Sequence, residues 1–168
     1  MSRTSVIVTG GAGFIGSNLV HHLAQARPDW KLVVFDALTY AGNLENLKPL
    51  EGRYEFVRGD VAEPADGARA FAACEGEVLV MHLAAESHVD RSIQSGLPFV
   101  RANVLGTQVM LDAARAAGAR RFLHVSTDEV YGSLGATGFF VETTPYDPSS
   151  PYSASKAGSD MLVQAAHR

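Results

Sequence analysis

Short apolar runs alternate along the chain with longer segments in which apolar residues recur at helical spacing. The runs predict five strands, at residues 5–9, 31–36, 54–60, 78–84 and 121–126. The second run is apolar at consecutive positions, which is typical of a strand buried on both faces of a sheet. Because strands that alternate with helices form parallel sheets with right-handed crossovers, the pattern predicts an α/β fold with a doubly wound parallel sheet.

The helical segments are recognised by their apolar stripes. In the first helix the stripe consists of Ile15, Leu19, Leu23 and Ala26. In a longer helix it consists of Val100, Val104, Leu111 and Ala114. Gly118 is the expected C-terminal stop of the longer helix, and Pro151 opens a last helix at a position where proline is tolerated. A weaker pattern predicts a helix over residues 65–74.

Composition places the chain among globular domains. Its 168 residues are 46% hydrophobic and carry a formal net charge of −4, which fits one domain and gives no electrostatic reason to expect nucleic acid or a membrane as partner. The single Cys74 excludes a disulfide scaffold and favours a small packed side chain. No apolar run has the ~18 residues of a membrane span, and no signal peptide is recognisable, so a cytoplasmic location is expected.

A glycine-rich turn joins the first predicted strand to the first helix. Gly10, Gly13 and Gly16 differ in spacing from the G-x-G-x-x-G fingerprint but follow the same physical logic. Glycine permits a tight turn, lets backbone N–H groups approach a pyrophosphate, and allows the helix to pack closely against the strand. The helix N-terminus then offers partial positive charge to the anion. The motif predicts a dinucleotide site, with an ordinary turn as the alternative.

Acidic residues end the second and third predicted strands. Asp36 can accept hydrogen bonds from both hydroxyls of an adenosine ribose, and it would repel a 2′-phosphate by about 4 kcal/mol at roughly 4 Å. The position therefore favours NAD over NADP, with a helix-capping aspartate as the alternative. Asp60 stands where a carboxylate can bind the adenine edge, a role that this residue alone leaves open.

Two residues of the last predicted helix have the spacing of an acid–base pair. Tyr152 and Lys156 stand at i and i+4, so their side chains lie on one face. A nearby ammonium favours the phenolate, which makes tyrosine usable as a general base or acid near neutral pH. A solvated surface pair is the alternative for these residues taken alone, but the dinucleotide motif favours catalysis.

Polar residues follow the fifth and fourth predicted strands, at the edge where open α/β sheets bind ligands. Thr127 can hydrogen-bond a reacting oxygen, and adjacent Asp128 and Glu129 suggest one protonated acid and one ionised base, with a solvated acidic turn as the alternative.

After the fourth strand, the small residues at 84–85 let the backbone lie against a cofactor, and Ser87 can reach a sugar. The neighbouring sequence offers too few ligands for zinc, so no metal is expected.

Together these motifs resemble the extended short-chain dehydrogenase/reductase superfamily over the entire chain. The resemblance is carried by the glycine-rich turn at residues 9–16, by Asn103 and by the run Tyr-Ser-Ala-Ser-Lys at residues 152–156. Within the superfamily, the segments similar to dTDP-glucose 4,6-dehydratases are residues 36–43, 84–92 and 126–132. The related 4-epimerases carry small uncharged residues in place of Asp128 and Glu129.

The resemblance implies an NAD-dependent lyase that eliminates water from dTDP-glucose to give a 4-keto-6-deoxy sugar. It implies that Tyr152 removes the C4 hydroxyl proton, Lys156 holds the nicotinamide ribose and Thr127 steadies the C4 oxygen. Glu129 would take the C5 proton, and Asp128 would protonate the departing C6 hydroxyl. Further cofactor contacts are implied for Phe14, Ile15, Leu38, Thr39, Val61, Leu83, Ala84, Ala85, Ser87 and Asn103.

Members of this family carry a C-terminal portion that closes over the sugar nucleotide. The present sequence stops within the last helical pattern, so we expect residues 1–168 to be a partial NAD-binding domain without useful activity alone. The resemblance also implies a homodimer formed through the long helix and the helix of Tyr152. A 4-epimerase, or a module that binds NAD without turnover, remains an alternative.

Overall fold

A five-stranded parallel sheet organises the computed structural model, which describes residues 3–167. The strands are β1 (Thr4–Thr9), β2 (Lys31–Asp36), β3 (Tyr54–Arg58), β4 (Glu77–His82) and β5 (Arg121–His124). Their order in the sheet is β3-β2-β1-β4-β5, and every neighbouring pair is parallel. The predicted doubly wound sheet is confirmed, and the strand order reverses between β1 and β4, where such sheets bind ligands.

Helices connect the strands and cover both faces of the sheet. They are α1 (Phe14–Ala26), α2 (Pro64–Ala72), α3 (Val89–Gln94), α4 (Leu97–Phe99), α5 (Gly106–Ala116) and α6 (Pro151–His167). A π-helical segment, Val100–Leu105, joins α4 to α5, and two 3-10 helices span Leu44–Leu50 and Asp128–Tyr131. The predicted start of α6 at Pro151 is confirmed, and Gly118, with φ +64°, ends the long helix as expected.

The core has two halves because successive strand residues point to opposite faces. Val6 and Val8 of β1 pack with Leu23 of α1, whereas Ile7 packs with Met110 of α5. All of β2 after its first residue is buried, as its apolar run predicts. Each buried apolar side chain of β2 contributes about 1.5–3 kcal/mol of burial free energy. No helix within residues 3–167 is long and apolar enough to cross a membrane.

The buried face of α1 differs from the predicted stripe. Ile15 is 65% exposed, and the buried residues include Gly16 and Val20 instead. A Cβ on Gly16 would lie 2.1 Å from the carbonyl oxygen of Gly10, so the glycine must face the turn. This close approach fixes the rotation of the helix at its N-terminal end, and Val20, Leu23 and Ala24 then face the core.

The stripe predicted for the longer helix is also wrong in its first half. Val100 is 49% exposed, whereas Asn103 and Thr107 are buried. The π-helical segment is wider than an α-helix, so it shifts the phase of every position on its N-terminal side. Leu111 and Ala114, which follow the segment, are buried as predicted.

Candidate active site

A cavity of about 580 Å³ opens at the carboxyl ends of the strands. It is lined by the predicted residues Gly10, Gly13, Phe14, Ile15, Gly16, Asp36, Thr39, Asp60, Val61, Leu83, Ala84, Ala85, Ser87, Tyr152 and Lys156. Predicted site residues outside its lining are Leu38, Asn103, Thr127, Asp128 and Glu129. Sequence reasoning missed several lining residues, among them Glu86, Arg101 and Ser126.

The glycine-rich turn forms one wall of this cavity. Gly10 has φ +66°, and a Cβ there would lie 2.9 Å from Cα of Ala84, so the turn packs directly on the segment that follows β4. Helix α1 begins at Phe14 without a capping side chain and without an acidic residue in its first turn. Its first N–H groups are therefore available to an anion in the cavity.

Asp36 connects the glycine-rich turn to the exit of β2. Its buried carboxylate accepts the N–H of Ala12 at 3.0 Å and the N–H of Leu38 at 2.8 Å, one on each oxygen. A carboxylate has about four acceptor sites, so acceptor capacity remains for a ligand. Leu38 adopts φ +54°, and its side chain packs on the α1 half of the core and not on the cavity. Asp36 thus organises a loop and does not cap a helix.

Asp60 has partners of its own at the edge of the cavity. Its Oδ1 accepts the N–H of Ala62 at 2.8 Å, and its Oδ2 is paired with the guanidinium of Arg101. Arg101 also pairs with Glu63. Any adenine contact through Asp60 would therefore share the carboxylate with an ion pair that sequence reasoning did not anticipate.

A buried polar column joins β1, β4 and α5 beside the cavity. The Thr107 hydroxyl donates to a backbone carbonyl of the π-helical segment at 2.6 Å, so Nε2 of His82 must donate to Thr107, at 3.2 Å. Nδ1 of His82 then accepts the Thr9 hydroxyl proton at 2.8 Å. Thr9 Oγ1 accepts the N–H groups of Leu83 and Ala84 at 3.1 and 3.0 Å. Burial first, and positive charge nearby, hold the pKa of His82 well below its ordinary range.

Asn103 joins the segment after β4 to α6. Its Oδ1 accepts the N–H of Glu86 at 2.8 Å, and its amide donates to the Glu86 carbonyl and to Ser155 Oγ. The side chain is buried, so Asn103 acts on the cavity through the two segments that it holds. The direct contact of Asn103 with a cofactor stays a prediction.

Tyr152 and Lys156 are 9% and 4% exposed, so a solvated surface pair is wrong. Burial lowers the pKa of Lys156 from 10.5 to about 8, against the raising effect of Asp160, and its ammonium donates to the Val125 carbonyl at 2.6 Å. Burial also raises the pKa of Tyr152, and a hydrogen bond with Thr127 opposes this. The expected lowering of the Tyr152 pKa by Lys156 is therefore not observed.

The acidic pair lies on the 3-10 helix that follows β5. Thr127 precedes this helix, and its Oγ1 accepts the N–H of Glu129 at 3.3 Å. Asp128 and Glu129 are exposed, and their negative charges contribute to the raised pKa of Tyr152. The structure therefore brings the pair close enough to Tyr152 for electrostatic coupling, although the pair lies outside the lining of the cavity.

Comparison with known proteins identifies relatives over nearly the whole chain. The GDP-mannose 4,6 dehydratase family matches residues 7–168. The dTDP-glucose 4,6-dehydratase of Neisseria gonorrhoeae is 51% identical over an alignment of 178 positions, which covers 99% of this chain and 51% of the relative. That of Mycobacterium tuberculosis is 48% identical over 95% of this chain and 48% of the relative. The chain thus spans about half the length of the curated relatives it matches.

Solved structures give the same result. The dTDP-glucose 4,6-dehydratase DesIV of Streptomyces venezuelae, crystallised with NAD, superposes with a TM-score of 0.90 at 49% identity, covering 98% of this chain and 52% of DesIV. The UDP-glucose 4-epimerase of Thermus thermophilus, also with NAD, gives 0.86 at 34% identity, covering 96% of this chain and 50% of the epimerase. The chain belongs to the GDP-mannose 4,6 dehydratase family.

Proposed function

We propose that the chain is the NAD-binding part of an enzyme that eliminates water from dTDP-glucose to give dTDP-4-keto-6-deoxyglucose. One observation carries the proposal: the 3-10 helix that bears Asp128 and Glu129 packs against α6, where Tyr152 and Lys156 lie at the cavity. An oxidation needs only the Tyr152–Lys156 pair, whereas an elimination needs a further acid and base. The curated relatives named dTDP-glucose 4,6-dehydratases support the same assignment.

The residues present fit NAD. The free N–H groups at the start of α1 suit the pyrophosphate, and the glycine contacts leave no room for a Cβ between the turn and Ala84. Asp36 has spare acceptor capacity for the adenosine ribose and would repel a 2′-phosphate. Lys156 lies where it can donate to the nicotinamide ribose. When bound, NAD supplies reversible hydride acceptance.

The chain's own residues then divide the proton transfers. Tyr152 removes the proton of the C4 hydroxyl, the hydrogen bond with Thr127 stabilises the phenolate, and Lys156, charged below about pH 8, holds the nicotinamide ribose. A C4 ketone acidifies the hydrogen at C5, which Glu129 removes. Asp128 protonates the C6 hydroxyl, which departs as water. Each such acid–base step contributes about 10²–10⁴ in rate.

We propose that a further portion of a longer polypeptide completes the sugar-nucleotide site. The outer part of the sheet supports this, because Leu123 and Val125 near β5 are 50% and 37% exposed. Strands inside a sheet normally bury such residues, so a covering element fits here. We also propose a homodimer through α6 and the long helix that the π-helical segment and α5 form together, which the exposed Val100, Leu105 and Met161 support. Sedimentation velocity on the complete protein tests the dimer, and a monomer at micromolar concentration would contradict it.

The test of function uses the complete protein and dTDP-glucose deuterated at C4. We expect a product lighter by one water with the deuterium recovered at C6. A product of unchanged mass would identify a 4-epimerase instead, and unchanged sugar would contradict both. Glu129→Gln should abolish the loss of water and leave NAD affinity, measured by calorimetry, unchanged. The 168-residue chain alone is expected to bind NAD without releasing product.

A further inference from the structure

Two hydroxyl donors and a histidine ring converge on Asp160, one helical turn beyond Lys156. Ser126 Oγ donates to Oδ2 at 2.6 Å, and the Tyr146 hydroxyl donates to the same oxygen at 3.3 Å. Nε2 of His124 lies 3.3 Å from Oδ1. Asp160 is 8% exposed, and no motif of the sequence singled it out.

Two of these residues, His124 and Ser126, belong to the segment that leads into the acidic pair. His124 ends β5, and Ser126 directly precedes Thr127. Val125, between them, accepts the Lys156 ammonium through its carbonyl. Residues 124–126, which we call the β5 exit, are thus each bound to a residue of the segment 156–160 in α6.

We propose that Asp160 is a positioning residue whose carboxylate fastens the β5 exit to α6, so that the acidic pair stays in register with Tyr152 and Lys156. The inference rests on the proposed function for its catalytic consequence, but not for its structural one. A carboxylate suits the position because it only accepts hydrogen bonds, and the Ser126 and Tyr146 hydroxyls both donate to it. Nε2 of His124 donates to the Ser159 hydroxyl at 3.0 Å, because Ser159 gives its own proton to the Lys156 carbonyl at 2.7 Å.

The charge of Asp160 has a second effect, on the Lys156 ammonium. The titratable groups facing this ammonium are Asp160 and Tyr152 on α6, His82 on β4 and His124 on β5, with the acidic pair beyond Tyr152. Burial alone would raise the pKa of Asp160, but hydrogen bonds from His124 and Ser126 and the nearby positive charges keep it below its ordinary value. Asp160 is therefore ionised at neutral pH and opposes the loss of the lysine proton.

The first test follows Lys156 directly. The chain has three lysines, at 31, 48 and 156, so ¹³Cε-lysine labelling gives three NMR resonances that Lys→Arg variants assign. We expect Asp160→Asn to lower the titration midpoint of Lys156 by on the order of one pH unit. Ser126→Ala removes a hydrogen bond but keeps the charge, so its midpoint should stay at the wild-type value. An unmoved midpoint in Asp160→Asn, or an equal shift in Ser126→Ala, would refute the electrostatic part.

The second test addresses positioning and does not need Asp160→Asn to fold. In the complete protein, Ser126→Ala should lower kcat for dTDP-glucose about tenfold, because misplacement of catalytic groups acts on the chemical step. Tyr146→Phe removes the other hydroxyl donor from outside the cavity and should lower kcat with NAD affinity unchanged. Ser126→Thr keeps the hydroxyl and should restore kcat. Wild-type kcat in Ser126→Ala would overturn the proposal. If the wild-type protein does not turn over dTDP-glucose, the proposed function fails, whereas the lysine titration still decides the charge effect.

Discussion

Thr9→Val tests how much of the stability depends on the buried polar column. Valine has nearly the shape of threonine, so the variant removes the hydroxyl from a fully buried side chain without opening a cavity. His82 Nδ1 and the Ala84 N–H then lose the hydrogen bonds that Thr9 makes with them. The Leu83 N–H keeps a second bond, to the Thr9 carbonyl at 3.3 Å.

Two buried polar groups without partners cost about 1–3 kcal/mol each, so Thr9→Val should lower the free energy of unfolding by about 2–6 kcal/mol. Thr9→Ser is the matched control, because it keeps the hydroxyl and removes one buried methyl, at a cost of about 1 kcal/mol. Since small domains have only about 5–15 kcal/mol of stability, the two variants should differ clearly.

Urea unfolding followed by far-UV circular dichroism measures this difference, and the m-value checks that the unfolded states are comparable. The hydroxyl also holds Leu83 and Ala84, which line the cavity. NAD affinity measured by calorimetry should therefore fall in Thr9→Val and stay near wild type in Thr9→Ser. If Thr9→Val is as stable as Thr9→Ser, the hydroxyl does not hold the column together, and the reasoning is refuted.

Three further predictions concern pH and the cofactor wall. His82 is held neutral in the folded protein and protonates near pH 6.5 in the unfolded chain, so its contribution to stability is present above pH 6.5 and is lost below it. The loss is up to about 1.4 kcal/mol per pH unit. In urea unfolding between pH 5 and 7, His82→Gln should reduce the dependence of the free energy of unfolding on pH, and an unchanged dependence would contradict the role given to His82. Gly16→Ala should weaken NAD binding more than about tenfold, since its Cβ would overlap the Gly10 carbonyl, whereas Gly135→Ala, with open space around it, should bind as wild type in calorimetry. Asp36→Asn should raise NADP affinity relative to NAD by at least about tenfold, and an unchanged ratio would show that the carboxylate does not exclude the 2′-phosphate.

The sequence predicts the sheet well and the rotation of its helices poorly. Strand β2 is identified from its continuous apolar run, and the structure buries five consecutive residues of the strand, as expected when both faces are covered. The rotation of α1 depends on Gly16 meeting Gly10, a contact between atoms that hydrophobicity does not describe. The π-helical turn before α5 is likewise invisible to a search that assumes 3.6 residues per turn.

The candidate site likewise contains residues that the sequence predicts and residues that it does not. Residues recognised by a backbone requirement or by a motif, such as Gly10 and Tyr152, lie at the cavity. The hydrogen-bonding roles of Thr9, His82 and Asp160 were missed, because no motif assigns such a role to these residues. A signal for two of them did exist: Thr9 and His82 each end an apolar strand, and neighbouring parallel strands place such ends side by side.

Burying a polar side chain at the end of a strand costs free energy unless neighbouring groups form hydrogen bonds with it. The polar residues of the column therefore need one another. Thr9 and His82 are in register across β1 and β4, where the strand order reverses. An apolar pair would pack equally well there, but it would leave the N–H of Ala84 without a partner at the cavity wall. The column therefore links the stability of the sheet to the shape of the cavity. Asp160 makes the corresponding link at the exit of β5, so the catalytic groups are held by buried polar contacts on both sides of β4.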